Sequence, residues 1–138
     1  MSLADSPISA TIPAKDIDRA KAWYKDKLGL TPVLDLGPAG QVYRTGSTNF
    51  TLYQTEFAGT GKHTLGGWAV PDLAREMTEL RSRGVKFEEY SGGQGPTTEN
   101  GIARDASGGA AAWFTDSEGN ILSLIELPPG MDINNPAG

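Results

Sequence analysis

The stretch Asp16-Ile-Asp-Arg-Ala-Lys-Ala-Trp-Tyr-Lys-Asp-Lys-Leu-Gly-Leu30 decides the fold, because a second stretch, Asp72-Leu-Ala-Arg-Glu-Met-Thr-Glu-Leu-Arg-Ser-Arg-Gly-Val85, nearly repeats it. In each, an Asp stands where a helix N-cap needs a side-chain acceptor for orphan N–H groups and a negative charge at the positive end of the dipole. In each, a glycine, Gly29 or Gly84, stands where the residue after the helix is left-handed. Ile17, Ala20, Tyr24 and Leu28 recur at spacings of three and four, as do Leu73, Met77 and Leu80, so each predicted helix carries one apolar stripe. Lys and Arg interleaved with Asp and Glu fill the remaining faces as solvated surface.

Working outward, an apolar strand precedes each helix and a hairpin closes each copy. The first hairpin runs through Thr45-Gly-Ser-Thr-Asn49 into Phe50-Thr-Leu-Tyr53, the second through Asp116-Ser-Glu-Gly-Asn120 into Ile121-Leu-Ser-Leu-Ile125. The unit reads β-α-β-β-β, used twice: module one over about 7–55, module two over about 63–127, and a loosely attached tail 128–138 rich in turn residues. One domain, 1–138, accommodates all of it.

Strand parity assigns faces. In Ile8-Ser-Ala-Thr-Ile-Pro-Ala14 the apolar residues Ile8, Ala10, Ile12 and Ala14 must meet a helix, which leaves Ser9 and Thr11 on the opposite face. The same parity in module two sets Thr64, Gly66, Trp68 and Val70 against a helix and Leu65, Gly67 and Ala69 in a cleft. Glycines inside a strand cost stability and mark a place where another backbone or a ligand comes close.

Composition excludes several classes. The 138 residues are 38% hydrophobic and carry a formal net charge of -5, which argues against nucleic acid. No apolar run is long enough for a membrane span and no basic-then-apolar start is present, so a cytoplasmic location is expected. The absence of cysteine removes disulfides, thiolate nucleophiles and thiolate metal sites together.

The helix-one stretch 16–30, the segment Arg83-Gly-Val-Lys-Phe87 and the hairpin Trp113-Phe-Thr-Asp-Ser-Glu-Gly-Asn-Ile-Leu122 resemble the vicinal oxygen chelate superfamily, which includes glyoxalase I, bleomycin and fosfomycin resistance proteins and extradiol dioxygenases. The resemblance spans about residues 7 to 127. It implies an α+β fold in which two βαβββ modules form an open, incompletely closed mixed β barrel around a cleft, helices on the outer face, in proteins that are commonly homodimers with a small-molecule ligand.

Metal-dependent members hold a divalent ion with His or Glu from the first strand of each module and carboxylates or similar groups from the last. Here those positions are Ser9, Leu65, Ser123 and Tyr53, or Leu52 under a one-residue shift. They make no site for zinc, manganese or nickel, which need imidazole, carboxylate or thiolate ligands. No metal and no cofactor is therefore expected. His63, the only histidine, shares the parity of Leu65 and stands as a candidate acid-base group or ligand partner, against the plainer reading of a turn histidine.

The remaining candidates follow from the faces. Ser9, Thr11 and Ser123 offer hydroxyls to the cleft, with Leu65 and Gly67 beside them. Tyr43, Tyr53 and Trp113 offer flat surfaces for a planar ligand, with core packing as the alternative for each. Tyr53 joins His63 as a candidate acid-base group. With one histidine and no Gly-x-Ser-x-Gly elbow, a Ser-His-Asp hydrolase has no support. The insertion 91–109, with six glycines, reads as a lid or binding loop in which Arg104 would meet a carboxylate. Two classes stay open: a metal-free small-molecule binder of the bleomycin-resistance type, slightly favoured, and a metal-free isomerase or lyase using His63 and Tyr53. A metal-dependent lyase or dioxygenase with displaced ligands is the third.

Overall fold

The computed structural model describes residues 2–93 and 95–132. Module one contributes β1 (Ala10–Ala14), α1 (Ile17–Trp23), β2 (Leu34–Asp35), β3 (Gln41–Thr45) and β4 (Thr48–Gln54). Module two contributes β5 (Thr64–Ala69), α2 (Leu73–Ser82), β6 (Ala103–Arg104), β7 (Ala110–Thr115) and β8 (Ile121–Glu126). Each builds a mixed four-stranded sheet, in the orders β1-β4-β3-β2 and β5-β8-β7-β6, with the first strand of the module parallel to the last. The edge strands β1 and β5 adjoin, and the two sheets are not closed into a barrel. Among the described residues no helix is long and apolar enough to cross a membrane. Most of the tail, 133–138, lies outside them.

The helices form for the local reasons the repeat predicts. Asp16 accepts a hydrogen bond from the Arg19 N–H at 3.0 Å, and Asp72 from that of Arg75 at 3.1 Å. After α2, Gly84 at φ 92° lets the Val85 N–H return to the Leu80 carbonyl, a Schellman closure. After α1 the chain widens into a single π-helical turn, Tyr24–Leu28, before Gly29 at φ 71° ends it.

One core serves both modules. Phe50, Trp68, Phe114 and Trp23 meet across the module boundary, with Trp68 and Trp23 each stacked on Phe114. Tyr24, fully buried, reaches from α1 into module two and donates a hydrogen bond to Asp116 at 2.7 Å. Asn120 in the same hairpin donates to the Pro13 carbonyl of β1 at 2.7 Å. Glu118, also buried, accepts from the Asp16 N–H at 2.9 Å and pairs with Arg19 at 2.8 Å. The hairpin of one module is thus bolted to the first strand and helix of the other.

Two expectations about the strands need correction. Ile8 is almost wholly exposed and Ser9 precedes β1, because pairing with β4 begins only at Ala10 opposite Phe50. In β5 the register shifts between Thr64 and Gly66, so Leu65 is an extra residue. That bulge turns Thr64, expected against a helix, onto the open face opposite the helices.

Candidate functional site

The side of sheet two away from the helices carries a cavity about 740 Å³ in volume. Its floor is Trp113 of β7 with Thr64 and Ile121, its rim Lys62 and His63 on one side and Tyr90 and Ser91 on the other. The bulge explains part of this geometry. Thr64, turned outward by Leu65, accepts a hydrogen bond from the Trp113 indole N–H at 3.1 Å and holds the ring in place. Tyr90 meets Trp113 edge-on, centroids 5.7 Å apart and planes at 72°. Burial, then the nearby Glu88 charge, pushes the Tyr90 phenol up from its ordinary range, so it is a neutral hydrogen-bonding group at physiological pH.

Glu89 also lines this cavity, with one carboxylate oxygen, Oε1, tied into the loop by the Thr98 hydroxyl and the Gly101 N–H. The groups left for a ligand include the two aromatic faces, the His63 imidazole, the Lys62 ammonium and the Tyr90 and Ser91 hydroxyls. Such a cavity can stack a planar molecule on its aromatic floor and anchor the molecule's polar edge.

The residues expected from sequence divide sharply. Trp113 and His63 share the cavity. Leu65, Gly67 and Ser123 sit beside it on the same sheet face, lining a shallower depression of about 300 Å³ with Ala69 and Ile125. Gly67 is required there: a Cβ would stand 2.1 Å from the Ser123 hydroxyl oxygen and 2.7 Å from its carbonyl oxygen. Thr11, exposed, and Tyr53, half-buried, lie on the open face of sheet one, and Ser9 is exposed just before β1. None of these three lines the His63 cavity, so His63 and Tyr53 are not brought together there.

Tyr43 takes the core-packing alternative. It is fully buried on the helix side of β3, stacked parallel to Phe50 with centroids 4.9 Å apart, and burial pushes its phenol up to about 12. Among the described residues its hydroxyl has no hydrogen-bond partner. Parity explains the placement, since Tyr43 pairs across the ladder with Phe50, a core residue.

Arg104 stands apart from this cavity. It belongs to edge strand β6, paired with Ala110, and lines a separate depression with Asp105 and Glu126. The insertion is not one lid. Thr98 is tied to Tyr90, Glu99 bridges Ile102, and the Asp105 carboxylate caps a turn through the N–H groups of Ser107 and Gly109. Among the insertion's described residues, Ser91, Gly93, Gly95 and Pro96 border the cavity.

Sequence reasoning missed Tyr90, although it stands beside the glycine-rich run, and it missed the work that Glu118 and Glu126 do. These two carboxylates hold helix N-termini, Glu118 at Asp16 and Glu126 at the Leu73 N–H at 2.8 Å. For Glu118, burial pushes the pKa up, but hydrogen bonds from Arg19, the Asp16 N–H and Ser117, with the Arg19 charge, outweigh it and hold the carboxyl at about 2. Both oxygens of Glu118 are engaged, and Glu126 is held through one. Among the described residues no group of three or more His, Cys, Asp or Glu is placed to hold one, and Ser9, Leu65, Tyr53 and Ser123 supply no suitable donor set.

Paired βαβββ modules with the helices on one side and an open, cavity-bearing sheet face on the other define a class. The chain belongs to the Glyoxalase/Bleomycin resistance protein/Dioxygenase superfamily, whose model matches residues 8–124. A solved structure of UcmS2 is 25% identical, covering 85% of this chain and 94% of that one at a TM-score of 0.64. The glyoxalase/bleomycin resistance protein of Catenulispora acidiphila and the bleomycin resistance determinant of transposon Tn5 are each 21% identical, covering 88% of this chain and 97% of theirs at TM-scores of 0.66. These last two likenesses concern the fold. A comparison with curated protein sequences found no match.

Proposed function

We propose that this chain is a metal-independent small-molecule binding protein of its superfamily, acting in the cytoplasm and holding a planar ligand on the open face of sheet two. One observation carries the reading: Trp113, fixed by Thr64 and faced by Tyr90, forms the floor of a cavity of about 740 Å³ whose polar groups surround an aromatic surface. That volume suits a drug-sized molecule. The family's ligand positions filled by Ser9, Leu65, Tyr53 and Ser123 support metal independence. Thr11 and Tyr53, left on the open face of sheet one, would complete a cleft against the second sheet of another copy, so a homodimer is part of the proposal.

Metal content of the purified protein and thermal melting with a panel of planar aromatic compounds, on wild type and Trp113→Ala, test this together. The expected outcome is substoichiometric metal, no rise in melting temperature with zinc, manganese, nickel or iron(II), and a rise with some aromatic compounds that Trp113→Ala abolishes. Near one equivalent of tightly held metal, or ligand shifts indifferent to Trp113, would overturn it.

A further inference from the structure

A second cavity, about 280 Å³, lies on the opposite side of the sheets, where the helices are. Its walls are Leu28 and Leu30 after α1, Leu80 of α2, and the rings of Trp68 and Phe114, which stack with planes at 13°. It is therefore formed by both modules and depends on their being held together. Only two of its lining residues carry polar side chains, Thr45 at the β3–β4 turn and Glu76 on α2.

Glu76 is half-buried and, among the described residues, its carboxylate makes no hydrogen bond and no ion pair. Its neighbours on the same helix are already engaged: Asp72 caps α2, and Glu79 pairs with Arg83 at 3.0 Å. The cavity thus combines an apolar lining, one partly exposed aromatic ring, Trp68, backed by the fully buried Phe114, and one unpaired negative charge. Rings attract a cation through their quadrupole, and an apolar setting strengthens the pull of the carboxylate on it.

We propose that this crevice is a binding site for a small organic ammonium with an aromatic or branched aliphatic body, its cationic head on Glu76 and its body against Trp68 and the three leucines. The space, roughly nine water volumes at about 30 Å³ each, limits the body to one ring or its equivalent. This site is independent of the proposed cavity at Trp113, from which the sheet separates it.

The test is an NMR titration of the full chain with 2-phenylethylammonium and its neutral isostere 2-phenylethanol, following the indole N–H resonances of Trp68 and Trp113, assigned by single Trp→Phe variants. Saturable shifts at Trp68 with Trp113 unmoved are expected, and the ammonium should bind more tightly than the alcohol. Glu76→Gln, a change at a half-buried helix position, should weaken the ammonium about tenfold, the factor that a contact of ~1.4 kcal/mol carries, and leave the alcohol unchanged. Equal affinity for the two probes, an ammonium affinity indifferent to Glu76→Gln, shifts centred on Trp113, or no saturable shift at all would each overturn the proposal. Failure of the Trp113 reading would leave these outcomes untouched.

Discussion

Replacing Glu118 by Gln should change the pH dependence of stability more than stability at any one acid pH. The Glu118 side chain is inaccessible to solvent, its carboxyl is held at about 2 against an ordinary 4.5, and its partners are Arg19, the Asp16 N–H and Ser117. A carboxyl whose folded pKa lies below its unfolded one stabilises the fold fully above the unfolded value and loses that contribution as pH falls toward the folded value. The window is therefore from about pH 5 down to about pH 2. At 1.36 kcal/mol per pKa unit, the depression corresponds to an upper bound of about 3 kcal/mol. Arg19 is 54% exposed in its side chain, so solvent screens the pair, and about 1–2 kcal/mol is expected. Gln preserves shape and one acceptor but carries no charge. Urea unfolding of both forms at pH 7, 5, 4 and 3 gives two stability profiles. Asp35 and Asp105, also held below the usual carboxylate range by hydrogen bonds, titrate in both proteins and cancel in the difference. The gap between wild type and Glu118→Gln should be widest at pH 7 and shrink by about 1 kcal/mol or more at pH 3. A constant gap would mean that the contact contributes shape and not charge, refuting the reasoning.

Two further perturbations probe the core and the open face. Tyr43→Phe removes a buried hydroxyl that has no partner among the described residues, so stability should hold or rise, by up to about 1 kcal/mol, whereas Tyr24→Phe strips Asp116 of a buried donor and should cost about 1–3 kcal/mol; urea midpoints decide between these. A loss on Tyr43→Phe as large as that on Tyr24→Phe would contradict the assignment. Gly67→Ala forces a methyl into the Ser123 hydroxyl and carbonyl, and should destabilise by about 1–3 kcal/mol. Because a backbone oxygen remains in the way, adding Ser123→Ala should recover only part of that, as measured by thermal unfolding.

The fold was legible because its signals are local and duplicated. Asp16 and Asp72 cap helices through N–H groups three residues away, and Gly29 and Gly84 end them through φ, so short windows of sequence suffice. The site was legible only where parity carried it, as for Trp113, Gly67 and Ser123. Parity failed at Thr64 because one extra residue, Leu65, reverses every face before it, and no composition signal announces a bulge. For Tyr43 the choice between cleft and core depended on pairing with Phe50, a register that only the assembled hairpin sets. Glu118 and Tyr24 were out of reach for a different reason. Each looks like ordinary surface or stripe chemistry within its own module, and its partner lies 99 and 92 residues away in the chain, respectively. These long-range contacts join the two modules. They also decide the shape of the space between them, so the crevice at Glu76 and the cavity at Trp113 both inherit their form from residues that touch neither.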